Sequence, residues 1–299
     1  MVEAIRKREL ILLKSSGVPL VTTCHWPIAE DSGSEQSRVG IVYLNALSVP
    51  RTHFGDSAVY WADSFASFGY PAFRLDMSGL GDSDGDIADD LVSFINSGGY
   101  EESLRSTLDE LVDRYNLSGV TVIALCAGAV SAMYAAASSS KCRGLVLLDP
   151  YFHFSSATRS VARDNLSQWA SQNNLGKSLQ KAYGWAKQVR LRLRTNLLPN
   201  NANRSLLDSW KKIAAKGMPV LVLNAPGAKP KAGEFDYLSY ILKLAGRKNR
   251  VTVQLIEGTD HSFANHTGRE KVRKHTEQWL DAHFPFARQE NPAKPLCAH

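Results

Sequence analysis

The sequence has few cysteines and no long apolar run. Its four cysteines are spread over 299 residues, too few for a disulfide framework and without the spacing of metal ligands: Cys24, Cys126, Cys142 and Cys297. No stretch of about 18 apolar residues occurs, so we expect no membrane span. The first ten residues include basic side chains but no apolar segment of signal-peptide length, so we expect no signal peptide. These absences predict a cytoplasmic protein with no metal or other cofactor.

The overall composition is that of a globular protein. Hydrophobic residues make up 44% of the chain and charged residues 21%. The length suffices for one large domain or two small ones. This composition excludes an intrinsically disordered chain, a collagen-like repeat, a coiled coil and a small secreted fold.

Positive charge is concentrated in one segment. The whole chain carries a net charge of +6, but residues 151–216 alone hold 12 Lys or Arg and only two acids, Asp164 and Asp208. This asymmetry fits either a solvated helical surface or a docking face for an acidic partner. We expect no nucleic acid, because no nucleic-acid-binding motif accompanies the charge. An acidic carrier protein, or an acyl carrier that bears a phosphate, is the partner that fits.

Apolar strands alternate with amphipathic helices through most of the chain. The predicted strands span 9–14, 18–26, 38–45, 70–76, 120–125, 144–148, 219–224 and 251–256. The predicted helices span 57–68, 100–115, 127–138, 234–245 and 267–283. Because most of these strands are almost wholly apolar, they predict an α/β fold with a parallel sheet that is covered on both faces.

Two segments depart from this alternation. The first two strands read as an antiparallel hairpin, which adds an edge to the parallel sheet. The basic stretch 151–216 interrupts the alternation once and predicts an inserted helical lid. The core is then formed by residues 1–150 and 217–288, and residues 289–299 are expected to be a flexible tail.

A cysteine stands at a strand-to-helix junction. The local sequence is Ala124-Leu-Cys126-Ala-Gly128, between an apolar strand and an alanine-rich helix. It resembles the nucleophile elbow of α/β-hydrolases, G-x-S-x-G, with Cys in place of Ser. Small residues two positions either side let the strand and helix pass close together. A helix N-terminus also favours the thiolate. The alternative interpretation is a buried structural cysteine.

Two further motifs resemble the same superfamily, in the same order along the chain. The stretch from Asp76 through Gly79 and Gly81 to Ser83 is similar to the D-x-x-G-x-G-x-S loop that follows a strand of the family. His261 follows the last strand in a G-x-x-H pattern like that of the catalytic histidine. The resemblance spans about residues 8–286 and implies an α/β-hydrolase fold with His261 as the general base.

The acid of the predicted triad has three candidates. The family commonly places it after the strand at 219–223, but there this chain has Lys229 where an acid is expected, and a lysine cannot orient an imidazole as a carboxylate does. Some relatives place it one strand earlier, which implies Asp149. Its simpler interpretation is a turn cap before a proline. Glu234 and Asp236 are the alternatives.

The resemblance also implies an oxyanion hole of two backbone N–H groups. One belongs to Ala127, directly after the cysteine. The other comes from Ala46 or Leu47, after the third strand, where Asn45-Ala46 departs from the His-Gly of the family.

A cysteine at the elbow narrows the classes of reaction that we expect. The segment Leu125-Cys-Ala-Gly-Ala129 and the loop Ser78-Gly-Leu-Gly-Asp-Ser83 resemble those of cysteine-bearing hydrolase-like proteins encoded with exosortase systems. The chain also resembles discrete thioesterases, some of which carry Cys. Dienelactone hydrolases use a Cys in the same place, but the residues around it match less well. Because a thiolate exchanges readily with a thioester, we expect an acyltransferase or thioesterase that forms an acyl-Cys126 intermediate on a carrier- or CoA-bound acyl group. A non-catalytic binding protein and a simple ester or lactone hydrolase are the alternatives.

The basic segment has predicted roles in this reaction. Its candidate carrier-docking residues are Arg190, Arg192, Arg194, Lys211 and Lys212. Its aromatic residues are expected to line an acyl pocket or to pack the lid onto the core: Tyr151, Phe152, Phe154, Trp169, Tyr183 and Trp185.

Overall fold

The apolar segments of the chain assemble into one eight-stranded sheet. The computed structural model describes residues 8–15, 17–27, 38–44, 46–154, 198–228, 235–246 and 250–285. The strands are β1 (Arg8–Ser15), β2 (Val18–His25), β3 (Val39–Leu44), β4 (Ala72–Leu75), β5 (Gly119–Leu125), β6 (Cys142–Leu148), β7 (Val220–Asn224) and β8 (Val251–Leu255). Their order across the sheet is β1-β2-β4-β3-β5-β6-β7-β8.

Strand direction divides the sheet into two parts. From β4 to β8 all neighbours are parallel, whereas β1 pairs with β2 and β2 with β4 in antiparallel register. This arrangement confirms the expected mostly parallel sheet with a leading antiparallel hairpin. Strands β3, β5 and β6 lie inside the sheet, and nearly all their residues are buried because helices cover both faces.

Helices pack on both faces of the sheet. They are α1 (Ser57–Ser67), α2 (Leu91–Asn96), α3 (Glu101–Arg114), α4 (Ala127–Ser138), α5 (Arg204–Ala215), α6 (Tyr237–Ala245) and α7 (His266–His283). One face holds the α1 and α7 side chains of Trp61, Phe65 and Leu280. The other holds Met133 of α4 and Trp210 of α5. Within the described ranges, no helix is long and apolar enough to cross a membrane.

The basic segment is described only at its two ends. Residues 155–197, with Arg190, Arg192 and Arg194, lie outside the described residues. Helix α5 belongs to the segment and lies against α4 and α6 with Trp210 and Ile213 buried. The division of the chain into core, lid and tail stays a prediction.

A buried carboxylate organises the glycine-rich loop after β4. Asp76 is fully buried and accepts hydrogen bonds from the backbone N–H groups of Arg51 at 2.7 Å and Asp82 at 3.1 Å, and from the Arg51 guanidinium at 2.6 Å. Gly81 has φ +58, and a Cβ there would lie 2.3 Å from the Asp76 carboxylate. The glycine is therefore required by both the backbone and the carboxylate beside it.

We expect Gly81→Ala to destabilise the fold more than Gly217→Ala. Both glycines have left-handed backbone, with φ +58 and +64, but nothing lies within 4 Å of a Cβ at Gly217. Both substitutions strain the backbone to a similar extent, but only an alanine at position 81 would clash with the Asp76 carboxylate. The free energy of unfolding in urea should fall by about 1–3 kcal/mol more for Gly81→Ala. Equal losses would contradict the steric role.

Candidate functional site

Cys126 lies in a strained turn between β5 and α4. Its φ of 53° and ψ of −116° are unusual for a residue with a side chain. The turn is held because the Cys126 N–H donates to the Leu148 carbonyl at 2.9 Å and the Cys126 carbonyl accepts from the N–H of Ala129 at 3.1 Å. Ala124 and Gly128 are both buried where strand and helix meet. The geometry is that of an elbow that presents a side chain at the carboxyl edge of the sheet.

The other described cysteines have different surroundings. Cys24 and Cys142 are buried, and burial raises the pKa of each thiol to about 12. These thiols stay protonated at neutral pH and are poor nucleophiles. Cys126 is partly exposed, so reagents and substrates can reach it.

Asp149 and His261 form a hydrogen-bonded pair at the same edge. Asp149 follows β6, directly beside the end of β5, and its side chain is 4% exposed. Its Oδ1 accepts from the backbone N–H of Ala225 at 2.7 Å, and its Oδ2 accepts from His261 Nδ1 at 2.8 Å. The first bond fixes the carboxylate, and the second fixes the imidazole with its Nε2 available for another partner.

The imidazole is also coupled to the cysteine. Hydrogen bonds with Asp149 and then with Cys126 raise the pKa of His261 from 6.5 to about 10, against the opposing effect of burial. The structure therefore brings the three residues predicted for the triad together. A raised pKa means that the protonated imidazole favours the folded state. That contribution is complete below pH about 6.5 and is lost as pH rises toward 10.

The pKa of His261 should fall when Cys126 is removed. In the unmodified protein the imidazole should titrate near pH 10, whereas in Cys126→Ala it should titrate lower, yet still above 6.5 because Asp149 remains. Proton NMR of the His261 ring, followed from pH 5 to 11, measures both values. Identical titrations in the two proteins would mean that the sulfur does not interact with the ring.

The residues predicted for an oxyanion hole follow two neighbouring strands, since Leu44 of β3 pairs with Ala124 of β5. Ala127 is the first residue of α4, where N–H groups have no partner within the helix. Leu47 has φ 52, and Val49 N–H closes a turn onto the Ala46 carbonyl at 3.1 Å. Asn45 lies outside the described residues, as do Lys229 and Glu234. The roles of Ala127, Ala46 and Leu47 stay predictions.

The alternative acid Asp236 has a different position. It caps the N-terminus of α6, where its carboxylate accepts from the Ser239 N–H at 2.9 Å and from the Ser239 hydroxyl at 2.5 Å. Its side chain is thereby committed to the helix. Of the acids considered within the described residues, Asp149 is the one hydrogen-bonded to His261.

The described aromatic residues of the basic segment differ in burial. Phe152 is 2% exposed and packs edge-on against Trp210 at 5.9 Å, so it belongs to the core. Tyr151 is partly buried, and Phe154 is exposed. The remaining predicted pocket residues lie outside the described residues: Trp169, Tyr183 and Trp185.

One histidine near the site has no local sequence signal. His53 is buried, and burial together with the charge of His261 lowers its pKa to about 4. It is therefore neutral at physiological pH. It follows β3 by nine residues and reaches the site only through the fold, so no motif pointed to it.

Solved structures of hydrolases share this fold. An esterase from Pyrococcus furiosus matches with a TM-score of 0.58 and 13% identity over 93% of this chain and 92% of that one. An alpha/beta hydrolase, GrgF, from Penicillium sp. sh18 matches with 0.59 and 16% over 94% and 100%. A putative hydrolase from Agrobacterium vitis S4 matches with 0.56 and 15% over 92% and 100%. At such identities the likeness concerns the fold alone.

Sequence comparison gives the family. No curated protein matches the chain significantly. The finer resemblance to cysteine-bearing and exosortase-associated members stays a prediction. The model of the alpha/beta hydrolase fold family matches residues 54–285, well over half of the chain. The chain therefore belongs to the alpha/beta hydrolase fold family.

Proposed function

We propose that this protein is a cysteine-dependent acyltransferase or thioesterase that works through an acyl-Cys126 intermediate. The observation that carries the proposal is the hydrogen bond of 2.8 Å between His261 Nδ1 and Asp149 Oδ2, with the same imidazole coupled to Cys126 in its strained turn. A nucleophile, a base and a group that orients the base are the parts that covalent acyl transfer requires.

The first half-reaction forms the acyl-enzyme. His261 first takes the proton of the Cys126 thiol, which gives a thiolate and an imidazolium. The Cys126 thiolate attacks the carbonyl carbon of a thioester, and the oxyanion accepts hydrogen bonds from the N–H groups of Ala127 and of Ala46 or Leu47. The bond to the leaving sulfur then breaks, and the imidazolium gives that sulfur its proton. Cys126 now carries the acyl group as a new thioester.

The second half-reaction releases the acyl group. An acceptor with an N–H, O–H or S–H group attacks the acyl-Cys126 carbonyl while neutral His261 Nε2 takes its proton. The Cys126 sulfur leaves as thiolate, which restores the thiolate and imidazolium that began the cycle. Water as acceptor gives a thioesterase, and an amine, alcohol or thiol gives a transferase.

A thioester is the preferred substrate class because its exchange with a thiolate is nearly balanced in energy. An oxygen ester is a poorer partner for a thiolate, since the alkoxide is the worse leaving group. The alternative hydrolase would use the same three residues on an ester or lactone. The alternative binding protein would use none of them chemically.

Mass spectrometry of the intact protein tests the proposal. Acetyl, butyryl and octanoyl thioesters of N-acetylcysteamine are mixed with the unmodified protein and with Cys126→Ala. We expect a mass increase equal to the acyl group in the first protein and none in the second. Amines, alcohols or thiols added afterwards identify the acceptor. No adduct and no thiol release with any of the three thioesters would contradict the proposal and favour the binding protein.

An acidic carrier is the proposed partner. Lys211 and Lys212 are exposed on α5, and Lys211 pairs with Asp208 at 2.8 Å, so Lys212 is the cleaner probe. We expect Lys212→Glu to raise KM for butyryl attached to an acyl carrier protein by about 5-fold, since rim charges act on encounter. KM for the N-acetylcysteamine thioester should not change.

The matched control for this effect is Lys274→Glu. Lys274 is an exposed lysine on α7, across the sheet from α5. The same charge reversal there should leave both substrates unaffected. A KM for the carrier-bound substrate that is unchanged in Lys212→Glu, or changed equally in both variants, would exclude docking at α5.

A further inference from the structure

Two buried charges hold the same residue of the loop after β3. The backbone N–H of Arg51 donates to the buried Asp76 carboxylate, and the backbone carbonyl of Arg51 accepts from the Arg74 guanidinium at 3.3 Å. Arg74 is 5% exposed and lies on β4, two residues before Asp76. An anion at the N–H and a cation at the carbonyl match the partial charges of these groups, so both sides of Arg51 are fixed at once.

A buried histidine orients the Arg74 side chain. Arg74 Nε donates to His25 Nε2 at 2.9 Å, and His25 is 1% exposed at the end of β2. Because a guanidinium can only donate, His25 Nε2 is the acceptor and the ring carries its proton on Nδ1. Burial lowers the pKa of His25 to about 4 and the pKa of Arg74 to about 10. At neutral pH the ring is therefore neutral and the guanidinium is charged.

Asp63 completes the chain of hydrogen bonds on the other side of the ring. His25 Nδ1 donates to Asp63 Oδ1 at 2.8 Å, which uses the proton that the contact with Arg74 places on Nδ1. The Asp63 side chain is 7% exposed on α1, and it also accepts from Arg8 Nε at 3.1 Å. The chain of hydrogen bonds therefore runs from β1 through α1, β2 and β4 to the loop after β3.

This arrangement buries charge at a cost in free energy. Well-packed apolar residues in place of such a buried ionic set are often as stable. What the directed hydrogen bonds add is a fixed position for their last acceptor, the Arg51 carbonyl. The same loop contains Leu47 with φ 52 and His53 with φ 67, and such conformations persist only where surrounding contacts hold them.

We propose that Arg74, oriented by His25, is a positioning residue for the oxyanion donor in the loop after β3. The inference rests on the proposed function for the identity of that donor, Ala46 or Leu47. Arg74 touches no reacting atom in this assignment and acts through Arg51. Releasing the Arg51 carbonyl would let the loop move, so that the donor N–H would no longer point at the place where the oxyanion forms.

Two reactions of Cys126 separate the oxyanion from the nucleophile. Acylation by a thioester passes through an oxyanion, whereas alkylation by iodoacetamide needs only the thiolate. The double variant His25→Leu/Arg74→Met removes both buried partners and leaves Asp63 with Arg8. In this variant, acylation by the butyryl thioester of N-acetylcysteamine should slow by about 10- to 100-fold. Alkylation, followed by mass spectrometry of the peptide that contains Cys126, should change by less than about 2-fold.

Arg74→Lys tests the geometry while the charge is kept. An ammonium has a single nitrogen, so it does not reproduce the separate Nε and Nη1 contacts of the guanidinium. We expect acylation alone to slow in this variant too, which tests the inference even if the double variant fails to fold. The matched control is Arg38→Met. The Arg38 guanidinium donates to the Gly69 carbonyl at 2.9 Å at the amino edge of the sheet, so neither reaction should change.

Amide hydrogen exchange measures the hold on the loop without turnover. Peptides that cover residues 46–53 should exchange about 10-fold faster in the double variant and at an unchanged rate in Arg38→Met. Unchanged exchange in this loop, acylation at the unmodified rate, or equal slowing of acylation and alkylation would each overturn the inference. Absence of an acyl adduct on the unmodified protein would contradict the proposed function itself, and the role of Arg74 with it. The unmodified protein thus distinguishes the two failures.

Discussion

Replacing Asp149 with asparagine is expected to slow acylation of Cys126 by about 10²- to 10⁴-fold at pH 7. The reason lies in the two hydrogen bonds of the carboxylate. Its Oδ1 must accept from the Ala225 N–H, so an asparagine would keep its oxygen there and turn its NH₂ group toward His261. The imidazole would then accept at Nδ1 and carry its proton on Nε2. A ring in that form cannot take the proton of the Cys126 thiol.

The same substitution removes the largest cause of the raised His261 pKa. That pKa should fall from about 10 toward 6.5, which NMR detects independently of activity. The rate of acylation is measured by quenching the reaction at set times and quantifying the acyl adduct by mass spectrometry. Asp236→Asn is the matched control, because it changes a helix-capping carboxylate to another good cap. Acylation within 3-fold of the unmodified rate in Asp149→Asn would contradict the assignment of Asp149.

The sequence predicted best those strands and helices whose hydrophobic pattern extends over many residues. Strands such as β5 and helices such as α4 and α7 were located to within two residues, because an apolar strand and a helical stripe differ in period. Helix α2, with only six residues after a Gly- and Asp-rich loop, was missed because one and a half turns carry too little periodicity.

The candidate site residues were predicted from motifs at strand ends rather than from periodicity. Cys126, His261 and Asp149 could be proposed from the sequence because each follows a predicted strand, and strand ends meet at one edge of the sheet. For Phe152 the sequence left two interpretations open, pocket lining or packing onto the core, since composition does not reveal which way a ring faces, and the structure shows it packed on Trp210. His53 reaches the site by tertiary contact alone, which a single sequence does not encode locally.

Replacing Asp76 with alanine is the other change with a large expected effect. We expect the free energy of unfolding to fall by about 3–5 kcal/mol, because the substitution removes the buried carboxylate that pairs with the Arg51 guanidinium and leaves that cation with the exposed Asp82. The Arg51 guanidinium is 17% exposed, and Asp76 is fully buried. The substitution also orphans the N–H groups of Arg51 and Asp82, since both donate to this carboxylate. Denaturation in urea, monitored by tryptophan fluorescence, measures the loss.

The variant Asp82→Ala is the control, because it removes an exposed carboxylate that binds the same Arg51 guanidinium as the buried Asp76. Asp82 binds the same guanidinium, but its side chain is 69% exposed, so its loss should cost no more than about 1 kcal/mol. A loss of 1 kcal/mol or less in Asp76→Ala as well would show that Arg51 finds another partner. Asp76→Ala is also expected to affect catalysis, because of where Arg51 lies in the chain. Arg51 lies in the loop after β3 that also carries Ala46 and Leu47, so Asp76 ties the loop of one proposed oxyanion donor to the glycine-rich loop. Asp76→Ala should therefore slow acylation even under conditions where the protein remains folded, whereas Asp82→Ala should not.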